Sequence, residues 1–222
     1  MKLKGLKINF LGDSITEGAG ASAPDKVYHA LLKQQCGLAE ARNYGISGTR
    51  LALQHGSPVR ELDDYVDVNS FGERFDKMDD DADVIVVFGG TNDFGHGDAP
   101  VGKFSDRTND TFYGACHYLF SGLIKKYLGK PIVIMTPLHR LNENKIPAVY
   151  QDAKACSLKN YVDIIREVAE YYSLPVLDLY ATSGLQPEIP EIKEKYLPDG
   201  LHPSDEGNAV IAQKLKSFLE NM

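Results

Sequence analysis

Residues 83–88 read Asp-Val-Ile-Val-Val-Phe, four β-branched residues and a phenylalanine in unbroken succession. A strand with one wet face alternates apolar and polar residues, whereas an unbroken run must be covered on both faces. This segment therefore calls for a parallel sheet enclosed between two layers of helix. Further strands are expected at residues 7–11, 41–46, 131–136 and 175–179, the second being the weakest. Helical patterning fills residues 24–35, 108–127, 157–172 and 204–219, with Cys36-Gly37 closing the first of these and Gly129 the second. About five parallel strands alternating with helices make one α/β domain over residues 1–222, with no internal repeat.

Composition narrows the classes that need weighing. With 24 Lys and Arg against 31 Asp and Glu, the chain carries a net charge of -7, a poor match for nucleic acid or an anionic membrane. Three cysteines, Cys36, Cys116 and Cys156, include no CxxC pair and are read as free thiols in a reducing compartment. The start of the chain lacks an apolar stretch of signal-peptide length, and no run is long enough to span a bilayer, so a cytoplasmic protein is expected. Asp79, Asp80 and Asp81 read as a solvated turn before the central strand.

In an open parallel sheet, ligands collect beyond the carboxyl ends of the strands. Four motifs fall there: Gly12-Asp13-Ser14-Ile15-Thr16, Gly45-Ile46-Ser47-Gly48-Thr49, Gly89-Gly90-Thr91-Asn92-Asp93 and Asp199-Gly200-Leu201-His202-Pro203. Together they supply a nucleophilic-catalysis set. Ser14 can serve as nucleophile, His202 as its base and Asp199 as the carboxylate that orients the base. The backbone N–H groups of Ser14 and Gly48 and the side-chain amide of Asn92 are the donors available for an oxyanion. Singly, each motif has an ordinary rival: a turn at GDS, turn residues at Gly48 and Asn92, a helix-entry aspartate and a surface histidine near the C-terminus.

The order GDSIT, ISG, GGTND, DGLHP resembles the consensus blocks of the SGNH hydrolases, the GDSL-type esterase/lipase family, across residues 12 to 203. Block I reads GDSI here, a small change at an apolar position. The resemblance implies a flavodoxin-like three-layer α/β/α sandwich. It assigns Ser14, Asp199 and His202 to catalysis, and Ser14, Gly48 and Asn92 to the oxyanion hole.

Other readings fare less well. Gly18-Ala19-Gly20-Ala21-Ser22-Ala23 imitates a dinucleotide fingerprint, but GDSITE separates it from the first strand. No GxSxG occurs, against an α/β-hydrolase elbow. His29 and His117 sit within helical patterning, while His55, His96 and His139 lie in loops, and none shows metal-ligand spacing. No metal or cofactor is expected. The function expected is ester hydrolysis through an acyl-enzyme, on short-chain or acetyl esters such as acetylated carbohydrates. A lipase, lysophospholipase or thioesterase is the alternative, ahead of a non-catalytic binding protein or a flavin- or nucleotide-binding protein. Residues 93–107 and 137–156 are long connections, and their His96, Arg107, His139 and Arg140 are candidates for sugar or anion contacts. The partner expected is a small-molecule ester; oligomeric state is not readable from the sequence.

Overall fold

A computed structural model describes residues 1–53, 70–145 and 156–222. Its strands are β1 (Lys7–Gly12), β2 (Glu40–Gly45), β3 (Val84–Phe88), β4 (Ile132–Met135) and β5 (Val176–Leu177). They form one sheet in the order β2-β1-β3-β4-β5, and every neighbouring pair is parallel. The helices before β4 are α1 (Ser14–Glu17), α2 (Tyr28–Cys36), α3 (Phe71–Arg74), α4 (Thr91–His96) and α5 (Phe112–Lys126). After it come α6 (Leu158–Tyr171), α7 (Leu179–Thr182), α8 (Pro190–Tyr196) and α9 (Asp205–Glu220).

The unbroken apolar run of β3 is used as its composition demands. Val84, Val86 and Phe88 enter an apolar cluster with Leu32 of α2 and Ile211 and Leu215 of α9. Ile85 and Val87 enter the opposite cluster, with Leu119 and Phe120 of α5 and Ile165 and Val168 of α6. Successive side chains of a strand point to opposite faces, so two apolar layers require apolar residues at every position. The result is the expected three-layer α/β/α sandwich.

Boundaries shift where a polar group intervenes. The expected helix over residues 24–35 splits into a short 3-10 turn at Pro24–Lys26 and α2, because Val27 is extended (φ -70°, ψ 145°). The Tyr28 N–H then donates to Asn208 Oδ1 at 3.0 Å rather than to a helical carbonyl. The long helix begins at Phe112 and not at residue 108, since the Thr111 hydroxyl caps it by accepting the Gly114 N–H at 3.1 Å. The last strand shrinks to Val176–Leu177 because Asp178 caps α7 by accepting the Ala181 N–H. The connection expected at 93–107 begins with most of α4. Of the connection at 137–156, residues 146–155 lie outside the described residues, as does His55. Asp79 and Asp81 take ion pairs from Arg42, Asp81 another from Lys7, and Asp80 one from Lys126, which accounts for the acidic turn.

Candidate active site

The carboxyl edge of the sheet gathers all four motifs. Strand β1 ends at Gly12, where a Cβ would lie 1.9 Å from Thr16 Oγ1; only glycine lets the chain turn so tightly into α1. Asp13 caps that helix by accepting the Ile15 N–H at 3.0 Å. Ser14 is therefore the first helical residue, a position whose N–H has no intrahelical acceptor. The residue is buried, 7% exposed.

His202 arrives from the far end of the chain, 188 positions away, and its Nε2 stands 3.0 Å from Ser14 Oγ. Asp199 builds the turn that presents it. One carboxylate oxygen accepts the backbone N–H groups of Leu201 (2.8 Å) and His202 (2.7 Å), and the other accepts His202 Nδ1–H at 2.6 Å. A carboxylate can only accept, so the imidazole proton belongs on Nδ1 and the Nε2 lone pair faces the serine hydroxyl. Partial burial pushes the Asp199 carboxyl up, but the donors from His202 and Leu201 outweigh it and hold it below the ordinary carboxylate value. Gly20 makes room for this turn: its φ is +89°, and a Cβ there would stand 2.6 Å from the Pro203 carbonyl oxygen. The glycines of the false dinucleotide fingerprint thus include one that serves close packing.

Asn92 lies in the first turn of α4, 4% exposed. Its Nδ2 donates to the Thr49 carbonyl at 3.0 Å, and its Oδ1 lies 3.1 Å from His96 Nε2, one helical turn on. Arg50 donates to His96 Nδ1. A guanidinium has no acceptor, so Nδ1 carries the lone pair and Nε2–H donates to Asn92 Oδ1. Arg50, His96 and Asn92 thereby form a one-way chain of donors that fixes which face of the amide carries the NH2 group. Asp93 ties the same helix to the preceding loop by accepting the N–H groups of Leu51 and Ala52, both at 3.0 Å. Arg74 braces the floor, donating to the Gly12 carbonyl at 2.6 Å and to Thr49 Oγ1 at 3.0 Å. Burial pulls its guanidinium down to about 10, opposed by the nearby Asp13 charge. Burial likewise raises Asp13 to about 6, although the Ile15 N–H and His202 pull the other way.

Ser14, Gly48, Asn92 and His202 line one cavity of about 280 Å³, together with His96 and Arg140 among others. Gly48 has φ +76°, a conformation that favours glycine, and a Cβ there would meet nothing within 4 Å. The Glu17 carboxylate accepts the neighbouring Ser47 N–H at 2.8 Å and also its hydroxyl, holding this loop against α1. Of the four polar loop residues singled out in the sequence, His96 and Arg140 reach the cavity. Arg107 instead donates to the Phe104 carbonyl at 2.6 Å, and His139 stacks on Tyr180 while meeting the Glu143 carboxylate at 2.9 Å. His29 is buried, with Nε2 donating to the Thr16 carbonyl at 3.1 Å, and His117 is buried against the Tyr172 hydroxyl. Asp13, Glu17 and Asp93 stand within or beside motifs already read, and their position there was the available signal. Arg50 directly follows the Gly45–Thr49 motif and shares that signal, whereas Arg74 sits in unremarkable sequence and acts across 62 positions, so nothing local marked it.

The sequence profile of the GDSL-like Lipase/Acylhydrolase family matches residues 10–210. The chain belongs to this family. Among solved structures, a protein of Lactobacillus plantarum is 31% identical, with a TM-score of 0.82 over 99% of this chain and 98% of that one. The lipase/acylhydrolase of Enterococcus faecalis shares the fold at 23% identity, with a TM-score of 0.62 over 96% of each chain. A two-domain esterase active on acetylated mannans does so at 20% identity and a TM-score of 0.62, this chain aligning over 98% of its length with 50% of that protein. No curated protein matches the chain. No helix among the described residues of this GDSL-family member is long and apolar enough to cross a membrane.

Proposed function

We propose that this chain is a serine ester hydrolase working through an acyl-enzyme, with Ser14 as nucleophile. The observation that carries the reading is the continuous line from Ser14 Oγ through His202 to Asp199, opening on a small cavity. Ser14 Oγ attacks the ester carbonyl while its proton passes to His202 Nε2, and Asp199 stabilises the imidazolium on its other side. The carbonyl π electrons move onto oxygen, which the N–H groups of Ser14 and Gly48 and the Asn92 amide receive. Collapse of the tetrahedral intermediate expels the alcohol, protonated by His202. Water, deprotonated in turn by His202, then attacks the acyl-enzyme, releasing the acid and restoring the Ser14 hydroxyl.

A short acyl group is the substrate this reading favours, acetyl above all, on a polar alcohol such as a carbohydrate. A cavity of about 280 Å³ is small beside sites for drug-sized ligands, and Ser47, His96 and Arg140 set polar groups into a lining that is otherwise mainly apolar. The mannan esterase contributes the fold alone at its level of identity, so acyl preference here has to come from this chain's own residues. Ser14→Ala should abolish turnover of p-nitrophenyl acetate while leaving the far-ultraviolet circular dichroism unchanged, and a fluorophosphonate should label the wild type at Ser14. Retained turnover in the variant would remove the assignment. A panel of p-nitrophenyl esters should show kcat/KM falling as the acyl chain lengthens; a maximum at long chains would reverse the substrate reading in favour of a lipase.

A further inference from the structure

Arg140 presents a cation in the cavity that the chemistry above does not use. Its Nη1 donates to the Thr91 carbonyl at 3.1 Å and to Thr91 Oγ1 at 3.2 Å, both uncharged acceptors. Its Nε is buried without a hydrogen-bond partner, and no ion pair joins its guanidinium to a carboxylate among the described residues. The charges of Asp13, Asp199 and Glu143 act on it only from a distance, and burial outweighs them, lowering its affinity for the proton. Leaving a partly desolvated guanidinium without a contacting anion is costly.

The position is also built, not incidental. Gly95 lets the guanidinium lie across α4, since a Cβ there would fall 2.7 Å from Nη1. Phe94 lies beneath it at 5.7 Å. The main chain is pinned on either side: Arg140 N–H donates to Glu143 at 3.2 Å and Leu141 N–H donates to the Gly200 carbonyl at 2.9 Å, inside the turn that carries His202. The residues lining the cavity include Arg140 and two imidazoles but no carboxylate, although the chain as a whole carries a net charge of -7.

We infer that Arg140 selects ester substrates bearing an oxyanion, a carboxylate or phosphate placed a few bonds from the scissile carbonyl. The planar guanidinium fork suits such a group better than a hydroxyl, and the pairing takes place where water is partly excluded. This inference rests on Ser14 being the nucleophile of the same cavity.

Matched ester pairs test it: mono-p-nitrophenyl succinate against p-nitrophenyl butyrate, O-acetyl-lactate against O-acetyl-lactamide, and monoacetylglycerol phosphate against monoacetylglycerol. The readout is the anionic-to-neutral ratio of kcat/KM, in which any general damage to the enzyme cancels. The wild type should favour the anionic member of at least one pair. Arg140→Gln should lower that ratio by about tenfold or more, the size expected of a charge-assisted hydrogen bond, with Arg140→Lys recovering part of it. The pair that responds identifies whether the charge belongs to the acyl half or the alcohol half, and whether it is carboxylate or phosphate. Ratios unmoved by Arg140→Gln in every pair overturn the inference and leave the Ser14 assignment standing. If no ester shows Ser14-dependent turnover, that assignment fails, and binding reads Arg140 by itself. Succinate or phosphate raising the melting temperature of wild type but not of Arg140→Gln then supports an oxyanion site, and equal shifts overturn it.

Discussion

Asn92 and Asp13 show how much a single side chain depends on its neighbours. The Asn92 amide can turn either end to the cavity, and the donor chain from Arg50 through His96 chooses. If its NH2 group receives the oxyanion, Asn92→Ala should lower kcat by about 10²–10³. His96→Ala should lower kcat by less and leave KM nearly unchanged, because the amide remains but is then oriented by the Thr49 carbonyl alone; steady-state kinetics on p-nitrophenyl acetate separates the two. Asp13 makes a different prediction. Its carboxyl rises from the ordinary 3.8 to about 6 in the folded state, chiefly through burial. The native state therefore binds the proton more readily than the unfolded chain, and this group's contribution to stability declines as pH rises from about 4 to 6. Over the full titration the decline is on the order of 3 kcal/mol, at 1.36 kcal/mol per pKa unit, and about two-thirds of it falls between pH 4 and 6. Asp13→Asn can still accept the Ile15 N–H and should flatten that part of the pH profile. Urea denaturation at pH 4, 5 and 6 checks this, and an equally steep profile in the variant would contradict it.

At the scale of elements, Asn208 of α9 is the clearest joint. Its Oδ1 receives the Tyr28 N–H at the start of α2, and its Nδ2 donates to the carbonyls of Pro203 and Ser204, each at 3.0 Å. Two helices distant in sequence and the turn carrying His202 thus meet on one buried amide. Asn208→Leu should cost about 1–3 kcal/mol, the penalty for leaving a buried donor unsatisfied, measured by urea denaturation. None of this was legible in the helical period of residues 24–35, which runs through Val27 without interruption. The short helices α3 and α7 were equally silent, because capping by Ser70 or Asp178 gives one turn too brief for a periodic signal, and the seven-residue α8 starts at Pro190 with no side-chain cap to mark it. Long elements fared better: β3, α5, α6 and α9 fall within a few residues of the ranges their patterning predicts.

For the whole molecule, the sheet is the frame that holds Ser14 and His202 together. Ile85 is fully buried in β3 at the centre of that frame. Ile85→Ala should destabilise the fold by about 2–5 kcal/mol, while kcat at a temperature well below the melting point stays close to wild type. Chemical denaturation paired with kinetics separates these two effects. A large loss of kcat in a fully folded variant would mean that the sheet tunes the site and does not merely support it.

Periodicity, the unbroken run at 83–88 and four short motifs were enough to specify the sandwich, the family and the set of residues at the sheet's carboxyl edge. Those signals are local, since strand burial and turn chemistry are written in consecutive residues. What only the folded chain decided is the side-chain wiring: the tautomers of His96 and His202, the bracing by Arg50 and Arg74, and the placement of Arg140 in the cavity while Arg107 and His139 turn away. Such choices depend on which donors and acceptors meet within about 3 Å, and the partners come from strand ends and loops that the sequence keeps tens of residues apart.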